Sequence, residues 1–580
     1  MSETILIEKN VMVAMRDGTS LGTDIYRPRT EAALPVILQR TPYDKDSSSI
    51  ADLVRMARAG YCVVNQDVRG RFASAGDFTP FVHEADDGAD AIAWAADQPW
   101  STGKVGTIGA SYVGATQWLA AGQTPPALHA MAPYITASDY YDGWTYRGGA
   151  LELGFTLSWA LGFALTETLR RIERGDATGE DRERMLDAVA ALDTHYKHLP
   201  LADLPIPGPL APYFATWLEH PDDDSYWQCL APNRRYERVT APALNMGGWY
   251  DIFLGGTLAN YQGMKARGGS EAARIGQRLL IGPWAHGLDK GWFPSLDFGP
   301  RAGASAVTVD LTGEQIRWFD YLLKGIENGL RNESPVRLFI MGTNVWRDES
   351  DWPLPDTHYR AYYLHSMGGA NSMNGDGRLS LELPVDEASD VYLYDPHRPV
   401  PTCGGASLLP GMAVGANGGP LDQRLVEMRH DVLCYTTAPL ERPLEVTGPV
   451  TLTLYVSSSA RDTDFTGKLV DVAPGGRATI LTDGILRARY RDSFEHQTLL
   501  EPGSVYELRI DLWATANVFA AGHRIRLEVS SSNFPRFGRN TNTGGVIAAD
   551  HAGEMVQAVN RVWHDRQRPS HLMLPIIERT

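Results

Sequence analysis

Three residues of this sequence have the types needed to turn an alcohol into a nucleophile, and each stands at or just past the end of an apolar run: Ser111, Asp251 and His286. A serine hydroxyl attacks a carbonyl only when a base takes its proton, and an imidazole base needs a carboxylate to fix its tautomer and stabilise its cation. Ser111 lies in Thr107-Ile108-Gly109-Ala110-Ser111-Tyr112-Val113-Gly114, after the apolar run 105–108 and before Ala115, Thr116, Trp118, Leu119 and Ala120. That pattern predicts a strand, a sharp turn and a buried helix, with Gly109 and Gly114 small because strand and helix almost collide there. An ordinary strand-to-helix turn is the competing reading of the octapeptide, since the general elbow pattern places its second glycine where Val113 stands. Asp251 follows the apolar strand 243–246 and its Gly-Gly-Trp-Tyr close, and His286 follows 278–282 and Pro-Trp-Ala. A satisfied loop histidine is the plain alternative for His286, and it weakens once Asp251 is considered with it.

The elements that must position these groups read as follows. Residues 11–15 and 21–26 flank an Asp17-Gly18 turn, and 35–40 and 61–67 are continuous apolar runs separated by a helical pattern over 50–59. Strand, helix, strand, helix, strand makes a parallel α/β sheet over about 1–145, and it delivers Ser111 to the carboxyl edge where such sheets bind ligands. The chain order Ser, Asp, His is that of α/β hydrolases. Tyr43, in Thr41-Pro42-Tyr43-Asp44-Lys45, stands where those folds usually supply half of an oxyanion hole; the residues alone favour a Pro-Tyr turn with the ring packed on the surface over a phenolic donor. Asp67 and the arginines of Asp67-Val68-Arg69-Gly70-Arg71 are expected to form an ion pair bracing their loop.

From about 146 to 240 the periods turn helical, with Leu151, Phe155, Trp159 and Phe163 four apart and no strand-like alternation, before five prolines between 200 and 212 break the chain. A helical block inserted there is expected to cap the carboxyl edge, and Trp159 is either a pocket wall or a core residue of that cap. The sheet resumes over 241 to about 350. In 351–580 the runs 451–456, 506–512 and 524–529 alternate strictly, which predicts a two-sheet sandwich, a jelly roll.

At 580 residues the chain exceeds what one core supports, and a formal net charge of −17 without a Lys/Arg-rich run argues against nucleic acid as a partner. Residues 1–6 lack a basic segment leading into an apolar core, and no apolar run of 18 residues occurs, so neither a signal peptide nor a membrane span is expected. Cys62, Cys229, Cys403 and Cys434 are scattered without paired spacing, which fits a reduced, cytoplasmic setting better than disulfides or zinc. His195 and His198 are expected to be exposed polar residues near a helix end rather than metal ligands.

Taken together, these residues resemble the cocaine esterase family of bacterial serine hydrolases, which also includes α-amino-acid ester hydrolases, a glutaryl-cephalosporin acylase and X-Pro dipeptidyl peptidases. The resemblance is carried by the segment 10–18, Pro42-Tyr43-Asp44-Lys45, Asp67-Val68-Arg69-Gly70, Gly109-Ala110-Ser111-Tyr112-Val113-Gly114, Gly248-Trp249-Tyr250-Asp251 and Gly282-Pro283-Trp284-Ala285-His286, and by Ser457-Ser458-Ser459, Asp462-Thr463-Asp464-Phe465 and 530–535 in the last third. Within that family the elbow is Gly-x-Ser-Tyr-x-Gly, which accommodates Val113.

The resemblance implies a discontinuous α/β-hydrolase domain (1–145 and 241–350), a helical cap insertion (146–240) and a C-terminal all-β jelly roll (351–580). It implies Ser111 as nucleophile, His286 as general base then acid, and Asp251 as its orienter. It casts the Tyr112 N–H and the Tyr43 hydroxyl as oxyanion donors, against the surface turn preferred above, and places Trp159, Phe253 and Leu408 or Leu409 around the substrate.

Relatives that take a free α-amino group hold it with carboxylates, some just after the triad Asp; here Ile252, Phe253 and Leu254 stand there, and an ammonium buried against them would lack an anion. The expectation is an esterase acting on small esters with an apolar or aromatic acyl group, requiring no metal or organic cofactor, with the oligomeric state left open between monomer and homodimer. Amide cleavage is the nearest alternative. The remote one is a non-catalytic carbohydrate-binding protein, since jelly rolls also occur in lectins.

Overall fold

The computed structural model describes residues 4–305, 308–409 and 418–579; residues 1–3, on which the reading of the N-terminus partly rests, lie outside them. One ten-stranded sheet runs in the order β1 (Ile5–Ala14), β2 (Ser20–Pro28), β4 (Cys62–Asp67), β3 (Leu34–Thr41), β5 (Ser101–Ala110), β6 (Leu128–Tyr134), then the strands Leu244–Tyr250, Arg278–Ala285, Val336–Ile340 and Val345–Glu349. From β4 to Val336–Ile340 every neighbour is parallel; β1, β2 and the last strand are antiparallel edges. Strands covered on both faces bury every residue, as β4 and Leu244–Tyr250 do, and the polar end of β4 is hydrogen-bonded: Asn65 to Lys45 O, Gln66 to Thr23 and Asp67 to the Lys45 N–H. Helices α1 (Ile50–Arg58), α2 (Glu84–Ala96) and α3 (Tyr112–Ala121) connect the first strands. α3 is buried at all ten positions because it lies against the centre of the sheet.

The insertion opens differently from the helical pattern expected at Leu151. A hairpin of two-residue strands, Tyr146–Arg147 and Ala150–Leu151, precedes the long helix α4 (Leu153–Arg174). Strands of two residues carry no alternation to detect. A capping box at Thr178 and Asp181 starts α5 (Gly179–Ala190), and the proline-rich return still forms a helix, Tyr213–Glu219, directly after Pro212.

Among the described residues of 357–577, twelve strands form a β unit in which nearly all pairs are antiparallel. Two of the alternating runs face each other: Thr451 pairs with Asp511 and Val456 with Tyr506, which puts Leu452, Leu454, Leu508 and Ile510 on the buried face. This unit shares a core with the α/β sheet. Trp249, Tyr250 and Phe339 belong to the same apolar cluster as Leu452 and Leu512.

Candidate active site

Three strand ends converge at the carboxyl edge. Ser111 caps α3 with φ 59° and ψ −125°, the strained elbow conformation that lifts a side chain clear of strand and helix. Small neighbours are compulsory there: a methyl on Gly109 (φ +140°) would sit 2.1 Å from Val113, and one on Gly114 would sit 2.7 Å from Thr136. Asp251, fully buried, follows strand Leu244–Tyr250 and accepts the Phe253 N–H at 2.7 Å through Oδ1. Its Oδ2 lies 2.8 Å from His286 Nδ1, and His286 Nε2 lies 3.0 Å from Ser111 Oγ. With the imidazole proton on Nδ1 facing the carboxylate, Nε2 is left as the acceptor for the serine proton. The edge of Phe253 packs on the imidazole at 5.1 Å, and its face stacks on Trp144 at 4.3 Å.

Tyr43 keeps 37% of its surface exposed, in line with the turn the residues alone favoured, but its ring packs on Phe163 at 5.6 Å and its hydroxyl end is turned inward. Its hydroxyl lies 3.2 Å from Trp159 Nε1 and close enough to Ser111 to interact with it. An indole N–H only donates, so the Tyr43 oxygen accepts from Trp159 and its own proton remains to be donated. Burial raises this phenol above the usual range, so it stays protonated at neutral pH. The Tyr112 N–H belongs to the first turn of α3, where amides have no intrahelical partner. The Tyr112 ring is locked from behind: its hydroxyl donates to Glu84 at 2.9 Å and accepts the Phe81 N–H at 2.8 Å, while Arg40 holds Glu84 at 2.7 Å.

Trp159 stands half-buried in an aromatic wall, stacked over Tyr112 at 6.1 Å and packed on Phe163 at 4.1 Å. Phe253 is fully buried behind it, Leu409 is buried against Gly154, and Leu408 is partly buried on the same cluster. Sequence reasoning missed Trp144, Tyr213 and Trp217 of this wall. Tyr213 and Trp217, four apart directly after Pro212, carried a helix-start signal that could have found them. The expected Asp67–Arg pair does not form. Asp67 accepts the N–H groups of Lys45 (2.8 Å) and Ala73 (3.2 Å), and burial pushes its carboxyl up to about 6. Arg69 instead reaches Asp87 and Asp17, both at 2.6 Å, so the loop is braced by more distant acids. His195 and His198 are half-buried rather than exposed, and among the described residues no group of three or more His, Cys, Asp or Glu could hold a metal.

Residues 17–288 match the family described as X-Pro dipeptidyl-peptidase (S15 family), and 328–573 match the X-Pro dipeptidyl-peptidase C-terminal non-catalytic domain. Over 583 residues the chain is 43% identical to the cocaine esterase of Rhodococcus sp. (strain MB1 Bresler), covering 99% of both chains. The chain belongs to the cocaine esterase family of S15 serine hydrolases. Among solved structures of this kind, an aminopeptidase from a Thaumarchaeota archaeon superposes with a TM-score of 0.79 at 26% identity, covering 100% of this chain and 97% of that one. An α-amino acid ester hydrolase follows at 0.77 and 25%, covering 99% and 97%. Like other family members, the chain joins an α/β-hydrolase domain to a C-terminal β domain. No helix among the described residues is long and apolar enough to cross a membrane.

Proposed function

We propose that this chain hydrolyses carboxylic esters through an acyl-enzyme, with Ser111 as nucleophile, His286 as general base then acid, and Asp251 as the group that orients the imidazole. The observation that carries the reading is the unbroken hydrogen-bonded line from Asp251 through His286 to Ser111, at 2.8 and 3.0 Å. Ser111 Oγ bonds to the ester carbon as its proton passes to Nε2. Collapse of the tetrahedral adduct expels the alcohol, which takes that proton. Water then repeats the sequence on the acyl-serine and frees the acid. The Tyr112 N–H and the Tyr43 O–H act on the oxygen where negative charge develops, a role in which one preorganised donor contributes about 3 kcal/mol.

Trp159 and Leu408, both partly exposed, suit an apolar or aromatic acyl group, with the buried Phe253 and Leu409 backing them from the core. Ester over amide is supported by the name of the Rhodococcus relative and by the residues after Asp251. Ile252, Phe253 and Leu254 are all buried and apolar, so a substrate ammonium placed there would lose its hydration without gaining an anion. The aminopeptidase among the structural neighbours keeps amide cleavage as the alternative reading. Four unpaired cysteines support a cytoplasmic setting.

Replacing Ser111 with Ala is expected to lower kcat/KM for p-nitrophenyl butyrate by at least about 10⁴-fold. A variant that retains the parental rate refutes the assignment. Comparing kcat/KM for that ester with an X-Pro anilide decides between ester and amide.

A further inference from the structure

On the outer side of the aromatic wall lies a second cavity, of about 320 Å³, bounded by Arg71, Phe78, Phe163, Glu167, Arg170 and Tyr213 among others. Arg71 is 4% exposed, and a guanidinium keeps its charge under any condition a protein survives. Its hydrogen bonds go to Pro42 O (3.0 Å) and Thr166 Oγ1 (2.5 Å), and among the described residues it forms no ion pair with a carboxylate. The nearest compensation is aromatic, with the rings of Phe163, Phe72 and Phe78 at 4.5, 5.0 and 5.4 Å.

The acid nearest by, Glu167, is already taken: Arg170 holds it through Nε (2.8 Å) and Nη2 (3.1 Å), and Arg171 through Nε (3.0 Å). Three donors at this cavity are therefore left over: Arg71 Nη1, the buried Arg170 Nη1 and the buried Tyr213 hydroxyl. Buried cations and donors without acceptors are costly unless a ligand supplies what is missing. Three guanidiniums face two acids here, Glu167 and the exposed Asp77, so the missing partner is anionic.

We propose that this cavity is a carboxylate-binding subsite in which Arg71 and Arg170 take the anion and Tyr213 donates to it. A planar carboxylate matches the fork of a guanidinium, and phenylalanine walls suit the hydrocarbon attached to it. The subsite adjoins the catalytic pocket. Phe163 touches Arg71 on one side and both Trp159 (4.1 Å) and Tyr43 (5.6 Å) on the other, and Arg71 Nε holds the carbonyl of Pro42, the residue before Tyr43. Two sources share this chemistry: the acid released by hydrolysis, and a second carboxylate carried by the ester itself.

The first measurement does not depend on the hydrolase reading. Ser111→Ala protein is titrated calorimetrically with butyrate and with its uncharged isostere butyramide. Butyrate is expected to bind at least about tenfold more tightly than butyramide, with the preference lost in Arg71→Gln and partly kept in Arg71→Lys. The second arm compares p-nitrophenyl adipate monoester with p-nitrophenyl hexanoate in the Ser111-containing protein. If the substrate supplies the carboxylate, Arg71→Gln lowers the ratio of the two kcat/KM values at least about tenfold. If the product supplies it, the ratio holds while the inhibition constant for hexanoate rises by a similar factor.

A purely structural Arg71, clamping the Pro42 loop to α4, would give equal butyrate and butyramide affinities and an unchanged ratio and inhibition constant, and that result overturns the proposal. Should Arg71→Gln not fold, Arg170→Gln is expected to show the same losses, and its failure to do so is equally decisive. A Ser111→Ala protein that still hydrolyses esters would sink the triad and leave the calorimetric arm standing.

Discussion

Tyr43 illustrates how much of a residue's role is set by what its partners cannot do. Trp159 Nε1 can only donate, so the phenol oxygen is used as an acceptor and the phenol proton is left over beside Ser111. Burial keeps that proton in place by raising the phenol above its usual range. In the proposed reaction the hydroxyl strengthens its hydrogen bond as the oxyanion forms, while offering little to a neutral ester carbonyl. Tyr43→Phe is accordingly expected to lower kcat by about 10²–10³-fold with KM changed less than about threefold. Steady-state kinetics on an aryl ester checks this, and an equal rise in KM would point to substrate positioning instead. The residues taken singly did not favour this, since a Pro-Tyr turn on the surface and one beside Ser111 have the same sequence; only the family resemblance carried by Pro42-Tyr43-Asp44-Lys45 pointed to it. The convergence of Ser111, Asp251 and His286 was legible because type, order and position at strand ends are all visible in one dimension. The Arg40–Glu84–Tyr112 brace was not, because its members lie 28 to 72 positions apart with no pattern linking them.

At the scale of elements, the elbow works only because α3 sits against the loop after β6 without intervening side chain. Gly114 has ordinary helical backbone, so an alanine there brings no dihedral strain and tests packing alone; its methyl would press on Thr136 Cβ at 2.7 Å. Thr136 also donates to Ser111 O at 2.8 Å, so relief of the clash must move the backbone of Ser111 itself. Gly114→Ala is expected to cost about 1–3 kcal/mol by thermal or urea unfolding and to lower kcat more than its folded fraction explains. The parallel strands were legible as continuous apolar runs, and the β unit as strict alternation, since burial on two faces or one leaves those signatures. Elements of two residues leave none. The hairpin Tyr146–Arg147/Ala150–Leu151 is fixed by tertiary contact, with Gly148 (φ +53°) pressed so closely on Ile485 O that a methyl would lie 1.9 Å from it. The ion pairs of the Asp67 loop escaped for a related reason: burial of Asp67 selects backbone donors that no spacing rule names.

Across the whole molecule, the start of α4 and the β unit are joined through buried charge. Arg536, 1% exposed, holds Asp483 of the β unit at 2.6 Å and Glu152 at the start of α4 at 3.4 Å. Arg536→Met leaves both carboxylates without it and is expected to cost about 3–5 kcal/mol of stability, measured by denaturant unfolding. A second buried pair makes stability depend on pH in a direction that can be worked out. Glu427 and Glu528 meet inside the β unit, at 0% and 2% exposure; Arg526 holds Glu427 at 2.6 Å and Lys468 stands 3.4 Å from Glu528. Burial first, then the neighbouring Glu528, raises the Glu427 carboxyl to about 8. An unfolded chain ionises that group near 4.3, so between those values the folded state holds the extra proton and stability falls as pH rises. Below about pH 4 both states are protonated and nothing is lost. Glutamine reproduces the protonated form: its oxygen accepts from Arg526 and its amide donates toward Glu528. Glu427→Gln is therefore expected to melt higher than the parent at pH 8–9, with the gap closing progressively toward pH 5. A gap that is independent of pH, or one that widens on acidification, would mean that Glu427 is ionised in the native state and that Arg526 alone neutralises it.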